Sequence, residues 1–262
     1  MAMSELTHHR AYLADNRRLI VGRALAAAAA GALPVPLVED WLASRIARGT
    51  IRRIANARSV DLDDGAVRAI ADGPEKPPEW AEIAGGTLAY RLVARSWKRL
   101  ILVYLATRRA QAAARHFLIG TLFDHYCARL HVGMGLDGPR AAELRAVMDQ
   151  AISRTPGGLG SRVFRRGLVG AAKASVRGPL RLADSVTGGA IRRLLKRGDE
   201  VDAVAVVDES IERQMKSSKS FLARSAAAVE LQLAAEGNPY LEQLLDTFDR
   251  LWRDRAPQTA SP

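Results

Sequence analysis

The sequence has little cysteine and few aromatic residues. Cys127 is the only cysteine among 262 residues, which excludes an internal disulfide and fits a reducing compartment. Aromatic residues make up 5% of the chain, so a buried core must consist mainly of Ala, Leu, Val and Ile. The apolar content of 48% is ordinary for a globular protein, and a chain of this length can bury a core without disulfides or metals.

Motifs of familiar catalytic chemistry are also missing. The chain has no P-loop, no glycine-rich dinucleotide fingerprint after a strand, no HExxH zinc motif and no GxSxG nucleophile elbow. These absences argue against the commonest nucleotide-dependent, zinc-dependent and serine-dependent enzymes. We therefore expect a non-enzymatic protein that needs no cofactor.

Long apolar runs are scarce. The longest stretch that comes close to one is the Ala-rich segment 19–38, whose only charged residue is Arg23. Its length is close to the ~20 apolar residues that a membrane-spanning helix needs. Arg23 would cost about 2.5–3.5 kcal/mol near a bilayer centre, and Pro34 and Pro36 would end a straight helix. The segment has three possible interpretations: a cleaved export signal, a membrane-embedded or interfacial helix, and a buried core helix. Because Arg23 interrupts the apolar stretch, we expect an intracellular, uncleaved chain.

The remaining apolar pattern is helical and predicts an all-α fold, a helical bundle in two loosely joined parts. The proline-rich stretch DGPEKPPEW predicts a linker. We divide the chain into an N-terminal helical unit over 1–72, a linker over 73–82, a main helical bundle over 83–253 and a disordered tail over 254–262. Within these parts we predict helices over 41–57, 64–71, 86–132 (one helix, or two with a break near Arg108), 139–154, 199–236 and from Pro239 onwards.

The charge of the chain is strongly positive. Lys and Arg number 39 against 28 Asp and Glu, a formal net charge of +11, and the region 151–200 alone has eleven cations against three acids. Such a charge favours an anionic partner, whether nucleic acid, acidic lipid or an acidic protein. A GC-rich bacterial genome also raises the content of Arg and Ala, so the location of the charge is more informative than its total.

The segment 161–177 concentrates positive charge on one side of a predicted helix. Five cations fall within about 120° of arc at ~100° per residue, with no acid on the helix and small or apolar residues opposite. This pattern is typical of a helix on an anionic membrane surface, and equally of a surface helix whose arginines pair with acids elsewhere. Non-specific nucleic-acid binding is less favoured, because no aromatic residues are interleaved with the cations. The candidate anion-binding residues are Arg162, Arg165, Arg166, Lys173 and Arg177.

Potential metal ligands lie along the segment 116–131. At ~100° per residue, His116, Asp124, Cys127 and His131 share one stripe of a helix. The spacing of Asp124, Cys127 and His131 puts their side chains next to one another, as in a helix that supplies zinc ligands or a thiolate beside an imidazole. His116 lies about 12 Å further along the axis, at ~1.5 Å per residue, which is too far for the same site. We expect Asp124, Cys127 and His131 to be structural, with a metal- or thiol-dependent site as the alternative.

A spaced set of small, proline and acidic residues follows the Ala-rich segment. Gly31, Pro34, Pro36, Glu39 and Asp40 form the pattern G-x-x-P-x-P-x-x-E-D between an Ala-rich helix and a basic one. In this respect residues 19–72 resemble a group of uncharacterised bacterial helical proteins that includes the EcsC-like domains. The resemblance implies membrane association and no catalysis by this chain.

These observations favour a cytoplasmic bacterial protein that is peripheral to, or embedded in, the inner membrane. Its expected partner is an anionic membrane surface or an acidic protein in an assembly there, and nucleic acid is a less favoured partner. These features are also compatible with a homo-oligomer.

Overall fold

The computed structural model describes residues 10–30, 38–74, 100–133, 135–157, 200–235 and 239–255. In this part of the chain nearly all residues lie in eight helices, which confirms the predicted all-α class. The helices are α1 (Leu13–Ala30), α2 (Val38–Ala57), α3 (Asp64–Asp72), α4 (Leu100–Arg129), α5 (Gly138–Arg154), α6 (Glu200–Lys216), α7 (Phe221–Ala235) and α8 (Pro239–Arg255). The two-residue strands β1 (Asp61–Leu62) and β2 (Gly135–Leu136) pair in parallel.

The Ala-rich helix α1 is buried on all sides from Ile20 to Ala29 and lies at the centre of the bundle. Helices α2, α4 and α7 pack against it. At the contact with α4, a Cβ on Gly120 would lie 2.8 Å from Cγ2 of Ile20, so the absence of a side chain lets the two helices approach. A helix that is apolar all round belongs in a core, and the buried-helix reading holds for the described residues of this segment. The described ranges contain no helix with the length and apolar character needed to cross a membrane.

Aspartate side chains cap two of the helices that the sequence predicts. Asp63 accepts a hydrogen bond from the backbone N of Ala66 at 2.5 Å and begins α3, and Asp137 accepts one from the backbone N of Arg140 at 3.0 Å and begins α5. Such caps satisfy backbone donors that the first turn of a helix leaves free. The apolar side of α5, which includes Leu144 and Val147, is buried.

Over the described residues, the structure confirms one of the two alternatives predicted for α4 and contradicts the single helix predicted over 199–236. The helix α4 is continuous through Arg108, so that the single-helix alternative is correct over Leu100–Arg129. The predicted helix 199–236 is two helices instead, separated at 217–220. Ser220 causes the break, because its Oγ accepts from the backbone N of Ala223 at 3.0 Å and donates to the carbonyl of Gln214 at 2.5 Å. A serine that bonds the backbone in this way begins a new helix.

Buried residues on both sides of the predicted linker belong to one hydrophobic core. Ile54 and Ile70 come from the N-terminal helices, whereas Phe123, Leu144 and Phe248 come from α4, α5 and α8. In addition, α3 packs on α5. Residues 75–99 and 256–262 lie outside the described residues, so the division at 73–82 stays a prediction. The helix α8 continues to Arg255, two residues into the predicted tail.

Candidate functional site

Asp124, the first of the candidate metal ligands, lies in a buried ion pair. Arg58, just after the end of α2, donates from Nε to Oδ1 at 2.8 Å and from Nη2 to Oδ2 at 3.1 Å. Asn16 of α1 donates to Oδ1 at 2.7 Å. The bond to Asp124 raises the pKa of Arg58. Both carboxylate oxygens are therefore occupied by donors, as the burial of a carboxylate requires.

The other two candidate ligands have surroundings that disfavour thiolate and metal chemistry. Burial, together with the negative charge of Asp124, raises the pKa of the Cys127 thiol, so that the thiol persists at neutral pH. The reactive and metal-binding form of cysteine is the thiolate. Because α4 ends at Arg129, His131 lies beyond the helix that was predicted to carry it, and its Nδ1 is 3.4 Å from the hydroxyl of Tyr126. Over the residues that the structure describes, no group of three His, Cys, Asp or Glu side chains is arranged to hold a metal.

Sequence reasoning missed His125, whose buried side chain lies in a chain of partly buried polar contacts. The Tyr12 hydroxyl is 2.5 Å from Nδ1 of His125, and Oδ1 of Asp249 is 2.6 Å from Nε2. Arg10 joins these contacts through Oδ2 of Asp249, at 3.8 Å, and also pairs with Glu242 of α8 at 2.6 Å. These residues are more than a hundred positions apart in sequence, so no local pattern could reveal them. Both imidazole nitrogens are occupied by protein groups, and the contacts therefore fasten the start of α1 to α4 and α8.

A groove rich in arginine lies between α2, the start of α3, and α6. Its volume is about 450 Å³. The α2 arginines at 45, 48 and 52 recur at helical spacings of three and four residues and so share one side of the helix, whereas Ile46 and Ile54 are buried in the core. The lining residues are Arg45, Arg48, Gly49, Arg52, Arg53, Asn56, Asp64, Arg68, Val204 and Asp208.

The arginines of this groove differ in how strongly they are held. Arg48 is held by Asp72 at 2.6 Å, and that carboxylate is nearly buried. Arg52 pairs with Asp64 at 2.7 Å, but both side chains are more than half exposed. Arg68 is exposed, and its Nε donates to the backbone carbonyl of Asp64 at 3.1 Å. Arg52 and Arg68 are therefore the arginines that solvent, or an anion from solvent, reaches most readily.

Beneath the groove lies Arg23, the charged residue of the Ala-rich segment. It is 3% exposed, and its Nη2 pairs with Oδ1 of Asp208 at 2.7 Å. A Cβ on Gly49 would lie 2.8 Å from Nη1, so the glycine of α2 lets the guanidinium pass to Asp208. Burial lowers the pKa of Arg23, and the charge of Asp208 opposes that shift. Among the described residues Nη1 has no hydrogen-bond partner.

Comparisons with family models, with curated proteins and with solved structures found no match to this chain. The resemblance to the EcsC-like group accordingly stays a prediction. The candidate anion-binding residues of 161–177 also stay a prediction, since Arg162, Arg165, Arg166, Lys173 and Arg177 lie outside the described residues.

Proposed function

We propose that this protein is a non-enzymatic peripheral protein that binds the anionic inner surface of a bacterial membrane through the arginine groove of α2, α3 and α6. The observation that carries the proposal is the concentration of arginines in one groove, with Arg52 and Arg68 exposed at its edge. A guanidinium makes paired hydrogen bonds to phosphate oxygens, which are the anionic groups of a lipid surface.

The charged residues that line the groove are mostly cationic. Five arginines line it, against the carboxylates of Asp64 and Asp208. Among the described residues Arg68 makes no ion pair, only a contact with a backbone carbonyl. Each Lys or Arg near an anionic leaflet contributes about 1 kcal/mol, so the groove supports reversible attachment. If the cations of 161–177 reach the same surface, the attachment is stronger.

The chemistry of the other candidate residues supports a binding role rather than catalysis. The Cys127 thiol is kept protonated by its burial. The imidazole of His125 has protein partners on both nitrogens. A catalytic group must reach a substrate, and neither of these side chains lines the arginine groove.

Sedimentation of the full chain with vesicles tests the proposal. We expect binding to vesicles rich in acidic lipid, little binding to neutral vesicles, and weaker binding at high salt, since exposed charges are screened over about 8 Å at physiological ionic strength. The double variant Arg52→Gln/Arg68→Gln should bind acidic vesicles more weakly, because it removes the two exposed arginines of the groove.

A matched control separates the groove from the net charge. Arg224 and Arg253 are exposed, and each donates from Nε to the carbonyl four residues earlier, at 3.3 and 3.2 Å, as Arg68 does. The variant Arg224→Gln/Arg253→Gln loses the same two charges on α7 and α8. Equal losses in both double variants would mean that net charge alone attracts the vesicle. Binding to duplex DNA without binding to vesicles would favour the nucleic-acid alternative, and binding to neither would favour an acidic protein.

A further inference from the structure

The arginine groove has the size and chemistry of a site for one small anionic group. We propose that it binds a phosphate group, carried either by a lipid headgroup or by a soluble phosphorylated molecule; the lipid source rests on the proposed function, and the soluble source does not. Its volume of about 450 Å³ falls within the range of ~300–1,000 Å³ that is usual for small-ligand sites. A phosphorylated headgroup therefore fits better than a bare ion.

The charge of the exposed arginines suits a phosphate group. Among the described residues Arg68 has no carboxylate partner, and Arg52 shares the exposed carboxylate of Asp64. A phosphate monoester carries about −1.5 to −2 at neutral pH. The guanidinium of Arg52 is more than half exposed, and that of Arg68 makes only a backbone contact through Nε, so both can turn toward an incoming phosphate. Two guanidinium groups supply the paired donors that phosphate oxygens accept.

A second observation comes from the buried Arg23. Its side chain is 3% exposed, and its Nη1 lies beside Gly49, a lining residue of the groove. Within the described ranges that nitrogen has no hydrogen-bond partner. A buried donor without a partner is uncommon in a folded protein and is often explained by a bound ion or water. The carboxylate of Asp208 accepts from Nη2 of Arg23 and lies 3.9 Å from Arg53. Nη1 is therefore the nitrogen of this guanidinium that is left for a further acceptor.

Titration calorimetry of the full chain with inorganic phosphate and with glycerol phosphate, at constant ionic strength, tests the site. Both phosphate compounds should bind to the protein, and chloride at the same ionic strength should not displace them. Arg52→Gln and Arg68→Gln should each raise the dissociation constant at least tenfold. The control variants Arg224→Gln and Arg253→Gln should leave it within twofold. Circular dichroism of every variant verifies that the fold is retained, and binding unchanged in folded Arg52→Gln and Arg68→Gln would overturn the proposal.

Vesicles of matched surface charge then distinguish the two sources. In one outcome the protein prefers phosphatidic acid, a phosphate monoester, to phosphatidylglycerol, and inorganic phosphate displaces the protein from these vesicles. The site then binds a lipid headgroup. If the soluble phosphates bind but no vesicle does, the phosphate site stands and the proposed membrane function fails. If acidic vesicles bind without preference and the soluble phosphates do not bind, the membrane function stands and the phosphate site is wrong.

Discussion

Replacement of Asp208 by Asn should destabilise the protein, because it leaves the Arg23 guanidinium charged and poorly paired in the core. Removing one partner of a fully buried ion pair costs about 3–5 kcal/mol. Arg23 is 3% exposed, but the side chain of Asp208 is 29% exposed, so that water can approach the pair from one side. We therefore expect Asp208→Asn to lower the free energy of unfolding by about 2–3 kcal/mol, at or below the lower end of that range.

The reciprocal change should cost much less. Arg23→Met removes the buried charge and keeps a side chain of similar length, while Asp208 stays partly solvated and 3.9 Å from Arg53. Apolar replacement of a buried ion pair is often neutral or stabilising, so we expect a loss of at most about 1 kcal/mol. The double variant Arg23→Met/Asp208→Asn should be within about 1 kcal/mol of the wild type, since no unpaired charge remains in the core.

Urea unfolding followed by circular dichroism measures these differences, provided that the slope with denaturant concentration is unchanged. Glu209→Gln is the matched control on the same helix, because Glu209 is 71% exposed and pairs with Arg213 on the surface. Such a surface pair contributes about 0.3–0.5 kcal/mol. The reasoning is wrong if Asp208→Asn costs no more than the control, or if Arg23→Met costs as much as Asp208→Asn.

Three other properties follow from buried groups. Arg58→Ala should lower the free energy of unfolding by about 3 kcal/mol in urea, because Asp124 would stay buried without its main donor; a loss below about 1 kcal/mol would show that Asp124 is solvated or protonated without it. Burial, with the charge of Arg145, holds the pKa of His116 at about 4 against 6.5 in the unfolded chain. The unfolded chain therefore takes up the proton first, and stability should fall as the pH drops from 6.5 toward 4, by no more than about 3 kcal/mol. His116→Gln should flatten that pH dependence, and an unchanged slope would assign it to other groups. Cys127 should react with a disulfide reagent at least about tenfold faster in urea than in the native state, because burial raises the pKa of its thiol; equal rates would contradict its burial.

Those elements that rest on local signals could be predicted from the sequence. The capping residues Asp63 and Asp137 and the amphipathic spacing of α5 and α8 are encoded within a few residues, and the structure confirms these helices. The break at 217–220 was missed, because Ser220 acts through its contacts with Gln214 and Ala223 rather than through a glycine or proline.

The candidate site could be predicted only in part. The spacing of the α2 arginines is visible in the sequence, but the acids and arginine that complete the groove come from α3 and α6. The pairing of Arg23 with Asp208 joins residues 185 positions apart. For that reason the sequence indicated only that Arg23 was unfavourable in a membrane, whereas the structure supplies its partner inside the core.

Sedimentation with vesicles rich in acidic lipid, comparing Arg52→Gln/Arg68→Gln with Arg224→Gln/Arg253→Gln, tests the central claim most directly. At about 1 kcal/mol for each cation near an anionic surface, the groove variant should lose roughly 30-fold in its partition onto the vesicle. The control variant should lose only a few-fold, because its arginines lie on α7 and α8 and do not line the groove. A groove variant that binds as well as the control would contradict the claim that the arginines of α2 and α3 form the binding surface.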